Sequence, residues 1–335
     1  MTDQNTPASE AESVLDVLDV LIIGAGPTGL AAALEARKLG LSHVVVEKGC
    51  VTNSIFHFPV NMTFFTTPEL LEIDNLPMVC AGEKPTRLEA LKYYRRVVQT
   101  NRIAIRQYEE VQRIEKADGI FRVETSRDTL RARNVVIATG YYDNPNMLGV
   151  RGEELPHVSH YYTEAHPYYD RDVVVIGGQN SAAEAALDLY RAGARVALVH
   201  RRSELGSSLK YWVRPDIENR IERREIAAWL DSAVEEILPG SVRISRQGTT
   251  IELPADQVFA LTGYYPSTRF LEQLGVQYDA DILLPSFDPE TFETNVPGVY
   301  LAGSVVAGRR HKEIFIENGR FHGAAVMRAI AARHR

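Results

Sequence analysis

The chain has 335 residues, 45% of them hydrophobic and 24% charged; at roughly 150 residues per domain this is enough for two domains with a large core, and it excludes disorder as the starting point. Its 37 Lys and Arg against 44 Asp and Glu leave a net charge of −7 with no dense basic run, so the electrostatic footprint of a nucleic-acid binder is missing. Two cysteines, Cys50 and Cys80, with no CxxC pair exclude a disulfide scaffold or a cysteine-rich zinc site, and no metal is expected.

Residues 1–13 read as a polar tail. The first 19 residues hold five acidic side chains and no Lys or Arg, and no apolar run reaches the ~18 residues of a membrane span, so the expectation is a cytoplasmic protein with no membrane partner. Residues 19–23 are an apolar, β-branched run that reads as a buried strand. Gly24-Ala25-Gly26-Pro27-Thr28-Gly29 follows at once, then a helical stretch over 27–39 with Pro27 in its first turn and Gly40 placed to end it. A second strand over 43–47 completes a βαβ unit. In such a unit the first glycine makes the tight turn, the second lets backbone approach a pyrophosphate, and the third allows close helix packing. The helix N-terminus supplies N–H groups and partial positive charge to the phosphates. Glu47 stands 23 residues after Gly24, where an acid binds ribose hydroxyls. Its carboxylate would repel a 2′-phosphate, so this site is expected to hold FAD or NAD and not NADP.

Residues 103–105 and the segment from Val123 to around Arg127 look like extra strands. They lead to a strand over 134–137 that ends in Ala138-Thr139-Gly140-Tyr141-Tyr142. The first pattern then returns. A strand over 172–176 runs into Gly177-Gly178-Gln179-Asn180-Ser181, followed by a helix-like run to Arg191, a closing Gly193 and a strand over 195–199. His200 again stands 23 residues after the first glycine, but the group there is His200-Arg201-Arg202. Guanidinium forks match phosphate oxygens, so the second site is expected to read the 2′-phosphate of NADP. Gln179 occupies the position of closest backbone approach; either it hydrogen-bonds the phosphates through its side chain, or its Cβ displaces the cofactor outward.

Residues 258–261 end in Thr262-Gly263-Tyr264-Tyr265, an echo of the earlier turn, and 297–303 give another buried strand with no nucleotide fingerprint. The expected fold class is α/β with two nested Rossmann-like dinucleotide-binding domains. One is discontinuous, 1–157 and 258–335, and the other is inserted at 158–257, with crossings near 141–152 and 260–266. The tyrosine pairs read as packing at the domain junction. An Ala-rich helix over about 318–332 closes the chain.

These features resemble the low-molecular-weight thioredoxin-reductase-type flavoproteins over nearly the whole length. More narrowly, the chain resembles the NADPH-dependent bacillithiol disulfide reductase family. The resemblance is carried by 53–59, Asn61-Met62-Thr63-Phe64-Phe65, 67–73, His160-Tyr161-Tyr162, 164–169, Asn180-Ser181-Ala182-Ala183 and 314–320. It implies an FAD-containing homodimer that takes hydride from NADPH and reduces the disulfide of a low-molecular-weight thiol, or serves a small redox protein. It implies that Gly24, Gly26, Gly29 and Glu47 bind the FAD pyrophosphate and ribose, with Pro27, Thr28, Lys48 and Val111 also at FAD. Ala138, Thr139 and Gly140 would line the flavin, Asn61 and Thr63 would close over it, Gly303 and Ser304 would meet the ribityl chain, and Phe315 and Ile316 the pyrimidine edge. NADPH would take Gly177, Gly178, Gln179, Asn180, Ser181, His200, Arg201 and Arg202.

Two departures bear on the chemistry. Where thioredoxin reductases carry CxxC, this chain has no cysteine over 161–166, and where many bacillithiol reductase relatives have a cysteine in the first glycine motif it has Thr28. Electrons then pass from reduced flavin to a substrate docked directly on it, or through Cys50 or Cys80. Cys50 lies toward the adenine end, and Cys80 reads as apolar filler. A thiolate product needs a proton, for which His57, His160, His166 and His311 are the candidates, none of them assigned. Arg309-Arg310-His311-Lys312 is either a carboxylate-attracting patch or a solvated turn. Thr28 favours a second reading, a ferredoxin or flavodoxin NADP reductase; a third is a flavin redox sensor without turnover.

Overall fold

The strand Leu18–Ile23 is apolar on both faces because both are covered. In the computed structural model, which describes residues 17–333, Val20 and Ile22 pack against the helices Pro27–Lys38, Arg87–Asn101 and His322–Arg333. Leu21 and Ile23 pack on the opposite side with Phe121, Val123 and Leu271. The tail over 1–13 and the side chain of His311 lie outside the described residues.

Leu18–Ile23 sits within a seven-stranded sheet whose order is Ile105–Gln107, His43–Glu47, Leu18–Ile23, Thr129–Ile137, Ile120–Thr125, Val111–Ala117, with Val299–Leu301 also paired to Thr129–Ile137. The first four strands and Val299–Leu301 run parallel, and the stretch from Val111 to Ile137 is an antiparallel meander. Helices lie close on this sheet and on one another because small residues permit it. A Cβ on Gly29 would fall 1.9 Å from the Gly24 carbonyl oxygen, and one on Gly323 would fall 2.6 Å from the Ala32 Cα.

A second, all-parallel sheet has the order Ala227–Trp229, Arg195–Val199, Asp172–Ile176, Gln257–Ala260, Val158–Ser159. The helix Asn180–Arg191 covers one face with Ala182, Ala186 and Leu189. The other face is covered by an antiparallel sheet of Ser232–Leu238, Ser241–Arg246 and Thr249–Pro254, whose Val242 and Ile244 point inward. The chain passes between the large sheets twice, and the two passages bond each other. Asn146 N–H donates to Gly263 O at 2.9 Å and Tyr265 N–H to Asn144 O at 2.9 Å.

Several elements differ from the sequence expectation. The strand expected at 103–105 is Ile105–Gln107. The stretch around 123–127 is two strands, Ile120–Thr125 and Thr129–Ile137, because Thr125 Oγ1 accepts the N–H of Asp128 at 2.9 Å and turns the chain there. The closing helix is broken into Ile316–Gly319 and His322–Arg333. The helix Arg87–Asn101 was not anticipated, although Thr86 and Glu89 form a capping box at its start.

Candidate functional site

At the first glycine turn, Gly24 has φ +106°, and a Cβ there would meet the Ala138 carbonyl oxygen at 2.5 Å. The missing side chain lets two parallel strands end side by side, which is where open α/β sheets bind ligands. Gly26 faces open space within 4 Å, and the helix Pro27–Lys38 starts without a side-chain cap. Its first-turn N–H groups therefore line an open cradle that fits a pyrophosphate. Glu47, 7% exposed, accepts the N–H of Ala25 at 2.8 Å and of Gly49 at 2.9 Å. Burial pushes its carboxyl above the ordinary range, and these two N–H groups pull it back. Lys48 pairs with Asp143 at 3.0 Å.

Around this cradle the structure gathers residues far apart in sequence. Ala138, Thr139 and Gly140 follow the strand Thr129–Ile137, and Ser304 Oγ lies 3.8 Å from a Cβ position on Gly140. Thr28 Oγ1 is wedged 3.0 and 3.2 Å from Cβ positions on Gly303 and Gly319, the latter in the short helix that begins at Ile316. The Val111 side chain is buried with Ile114 and Val46, so any ligand contact it makes is through backbone. Sequence reasoning missed His322. Its Nδ1 accepts the N–H of Gly303 at 3.1 Å and its ring stacks on Phe292 at 4.3 Å. Burial lowers its pKa to about 4, which keeps the ring neutral, as its acceptor role requires. A lone histidine beside Gly323 in an Ala-rich helix carries no spacing signal.

The second turn repeats the backbone and changes the cover. A Cβ on Gly177 would meet the Leu261 carbonyl oxygen at 2.6 Å, and one on Gly178 would meet the His200 ring at 2.4 Å. His200 is held below the ordinary imidazole value by burial first, then by Arg202 and Arg201. Arg201 and Arg202 are exposed and form no ion pair among the described residues. Gln179 is bonded to a neighbouring segment of the chain. Its Oε1 accepts from Ser208 Oγ at 2.7 Å, and its side chain lies against Gly206. Asn180 Nδ2 donates to Ser208 O at 3.1 Å and Asn180 Oδ1 accepts the N–H of Lys210 at 2.8 Å. Ser181 follows on the exposed first turn of the helix.

A cavity of about 1510 Å³ joins the two halves. Its wall includes Gly177 through Ser181 and His200 through Arg202 on one side, and Asn61, Thr63, Tyr141 and Phe315 on the other. It is larger than the roughly 300–1,000 Å³ that holds one small ligand. Neither cysteine lines it. Burial raises the pKa of both Cys50 and Cys80, which keeps the thiols protonated and poorly nucleophilic. His57, His160 and His166 do not line it either; His160 bonds the Ala260 carbonyl at 3.1 Å. The tyrosines form one cluster at the crossing, with Tyr142 and Tyr264 rings 4.6 Å apart and Tyr161 and Tyr264 5.5 Å apart. Their hydroxyls donate to the backbone carbonyls of His57, His160 and Tyr142, and Tyr142 is pushed up to about 12 by burial. They serve as packing and bonding groups. Among the described residues no helix is long and apolar enough to cross a membrane.

A family model described as pyridine nucleotide-disulphide oxidoreductase matches residues 21–303. The bacilliredoxin reductase Bdr of Bacillus subtilis is 45% identical over 316 residues, covering 93% of this chain and 97% of that protein. The solved bacillithiol disulfide reductase Bdr of Bacillus cereus superposes with a TM-score of 0.93 at 42% identity, covering 95% of this chain and all of that one. A thioredoxin reductase of T. acidophilum superposes at 0.73 with 25% identity, covering 95% and 98%.

Proposed function

This chain belongs to the pyridine nucleotide-disulphide oxidoreductase family and is a flavin disulfide reductase using FAD and NADPH, and from that premise we propose that its acceptor is bacillithiol disulfide. One disulfide, one NADPH and one proton give two thiols and NADP⁺. Bound FAD supplies the two-electron relay between a hydride donor and a disulfide. The chain binds, orients and insulates.

In this reading Gly26 and the first-turn N–H groups of Pro27–Lys38 hold the FAD pyrophosphate, Glu47 takes the ribose hydroxyls, and Thr28, Gly303 and Ser304 floor the ribityl site. His322 fixes Gly303 from behind. Arg201 and Arg202 read the NADPH 2′-phosphate, with the pyrophosphate at Asn180 and Ser181. The FAD domain is 1–157 and 258–335, and the NADPH domain is 158–257. We also infer a cytoplasmic homodimer.

The observation that carries the acceptor assignment is the cavity of about 1510 Å³ with no cysteine on its wall. With both thiols held protonated elsewhere, a disulfide is reduced by docking directly at the flavin, which a small molecule can do. NADPH consumption by the flavin-loaded enzyme tests this. Turnover is expected with bacillithiol disulfide and not with a one-electron carrier; turnover with ferredoxin alone would sink the assignment.

A further inference from the structure

Two exposed aromatic side chains from different halves of the molecule meet at the rim of the cavity. Phe65 and Trp212 stack with centroids 5.3 Å apart and planes 18° from parallel. Lys84 Nζ lies 4.0 Å from the Trp212 ring centroid and 5.3 Å from that of Phe65. Lys84 forms no ion pair with a carboxylate among the described residues.

Each partner is rigidly mounted. On the first half, Phe64 is buried in the core, Phe64 N–H donates to Pro85 O at 2.8 Å, and Thr63 pairs with Thr86, the cap of the helix Arg87–Asn101. Phe65 and Lys84 therefore leave a fixed two-stranded rim side by side. On the second half, Leu209 and Val213 are buried anchors, and Tyr211 and Trp212 stand outward between them. The same segment is tied to the second glycine turn. Ser208 bonds Gln179, the Lys210 N–H bonds Asn180, Lys210 pairs with Glu184 at 2.6 Å, and Gly206 N–H donates to Gly178 O at 2.7 Å. Within its own half the indole meets the Tyr211 ring edge-on at 4.7 Å and the Lys210 Nζ at 5.7 Å. Its stacking partner lies across the gap.

We propose that Phe65, Trp212 and Lys84 form a clasp that sets where the second glycine turn stands relative to the first half, making Trp212 a positioning residue for hydride transfer from the nucleotide. The inference rests on the assignment of NADPH to that turn. An exposed aromatic stack plus one cation over the rings biases a two-state equilibrium by about ten- to a hundredfold. That is enough to favour the closed arrangement and little enough to release it in each turnover. The crossing strands with their tyrosine cluster and the Val60 N–H bond to Thr163 O at 2.8 Å also join the halves, so loss of the clasp loosens the second turn without detaching the unit.

The test is stopped-flow reduction of the flavin-loaded enzyme by NADPH, with Trp212→Ala, Trp212→Phe, Phe65→Ala and the Phe65→Ala/Trp212→Ala pair. Both single alanine variants are expected to slow flavin reduction at saturating NADPH by about tenfold while NADPH binding affinity stays within about twofold. The double variant is expected to be no slower than the singles, and Trp212→Phe to keep most of the rate. A second readout needs no nucleotide: in a Trp229→Phe background, Phe65→Ala and Lys84→Met should each make Trp212 emission more accessible to acrylamide. Unchanged reduction rates, additive losses, or an affinity loss confined to Trp212→Ala would overturn the clasp. A wild-type enzyme that NADPH does not reduce would overturn the functional assignment instead, while the emission measurement would still report whether the two rings meet.

Discussion

The two glycine turns share a backbone path and differ in what closes over them. At the first, the acid that ends the second strand folds onto the turn itself: Glu47 accepts the N–H groups of Ala25 and Gly49, and the face of Gly26 stays open. At the second, His200 lies on Gly178, and the segment carrying Ser208 and Lys210 is bonded to Gln179 and Asn180. The first turn is held in shape by the hydrogen bonds of its own acid. The second is held by a neighbouring segment, and Gly177 through Ser181 still line the cavity. Shape held by the chain's own bonds lowers the ordering cost of binding.

The largest expected effect is at Gly26. A Cβ there meets no protein atom, so Gly26→Val should leave the fold intact while filling the cradle. Loss of two charge-assisted N–H bonds to the pyrophosphate weakens flavin binding by about 1,000-fold. The check is flavin content of the purified variant beside its circular dichroism melt; a yellow variant would show that the first turn is not the cradle. Next is the tip of the second turn. Arg201→Ala/Arg202→Ala should raise the KM for NADPH about 100-fold and leave that for NADH nearly unchanged. Equal losses with the two donors would remove the 2′-phosphate from these arginines.

A smaller effect separates the two histidines near these turns. The folded pKa of His322, about 4, is below the ordinary imidazole value of 6.5. Above pH 6.5 the ring is neutral in both folded and unfolded chains and contributes no difference. As pH falls from 6.5 toward 4 the unfolded chain takes up the proton first, so stability is lost through that window, by about 2 kcal/mol at pH 5. Denaturant unfolding at stepped pH should show this loss in the wild type and not in His322→Gln. His200 is held down first by burial and then by Arg202 and Arg201. In the double arginine variant its imidazole resonances should therefore titrate at higher pH.

The difference between the turns was partly legible in the sequence. The strand, GxGxxG, helix and acid of the first unit stand at fixed spacings, because one backbone approach dictates all of them. The arginines of the second unit were legible for the same reason. The segment that covers the second turn was not, because Ser208, Lys210 and Trp212 follow no period and acquire meaning only through partners 29, 30 and 147 residues away. His322 was hidden similarly, its partner being a backbone N–H. The antiparallel sheet of Ser232–Leu238, Ser241–Arg246 and Thr249–Pro254 was not legible, because the period-2 alternation of Ser241–Arg246 rests on Val242 and Ile244 alone.

The smallest expected effect is the one that discriminates most between mechanisms. If electrons passed through a protein thiol, that thiol would have to be a thiolate within reach of the flavin, and the surroundings of both cysteines favour the protonated form. Cys50 lies beside Asn53, its Sγ 3.6 Å from Oδ1, and burial raises its pKa. Cys80 packs against the core of the first half, and burial, then Glu89 and Glu69, raise its pKa. A neighbouring carboxylate is the wrong charge for stabilising a thiolate. Cys50→Ser, Cys80→Ser and the double variant should therefore each keep kcat with the disulfide acceptor within about twofold of wild type, the range expected for isosteric changes at partly exposed sites. A loss of more than about tenfold in Cys80→Ser, with flavin reduction by NADPH intact, would place a thiol between the flavin and the acceptor and would mean that the wall of the cavity rearranges to bring it there.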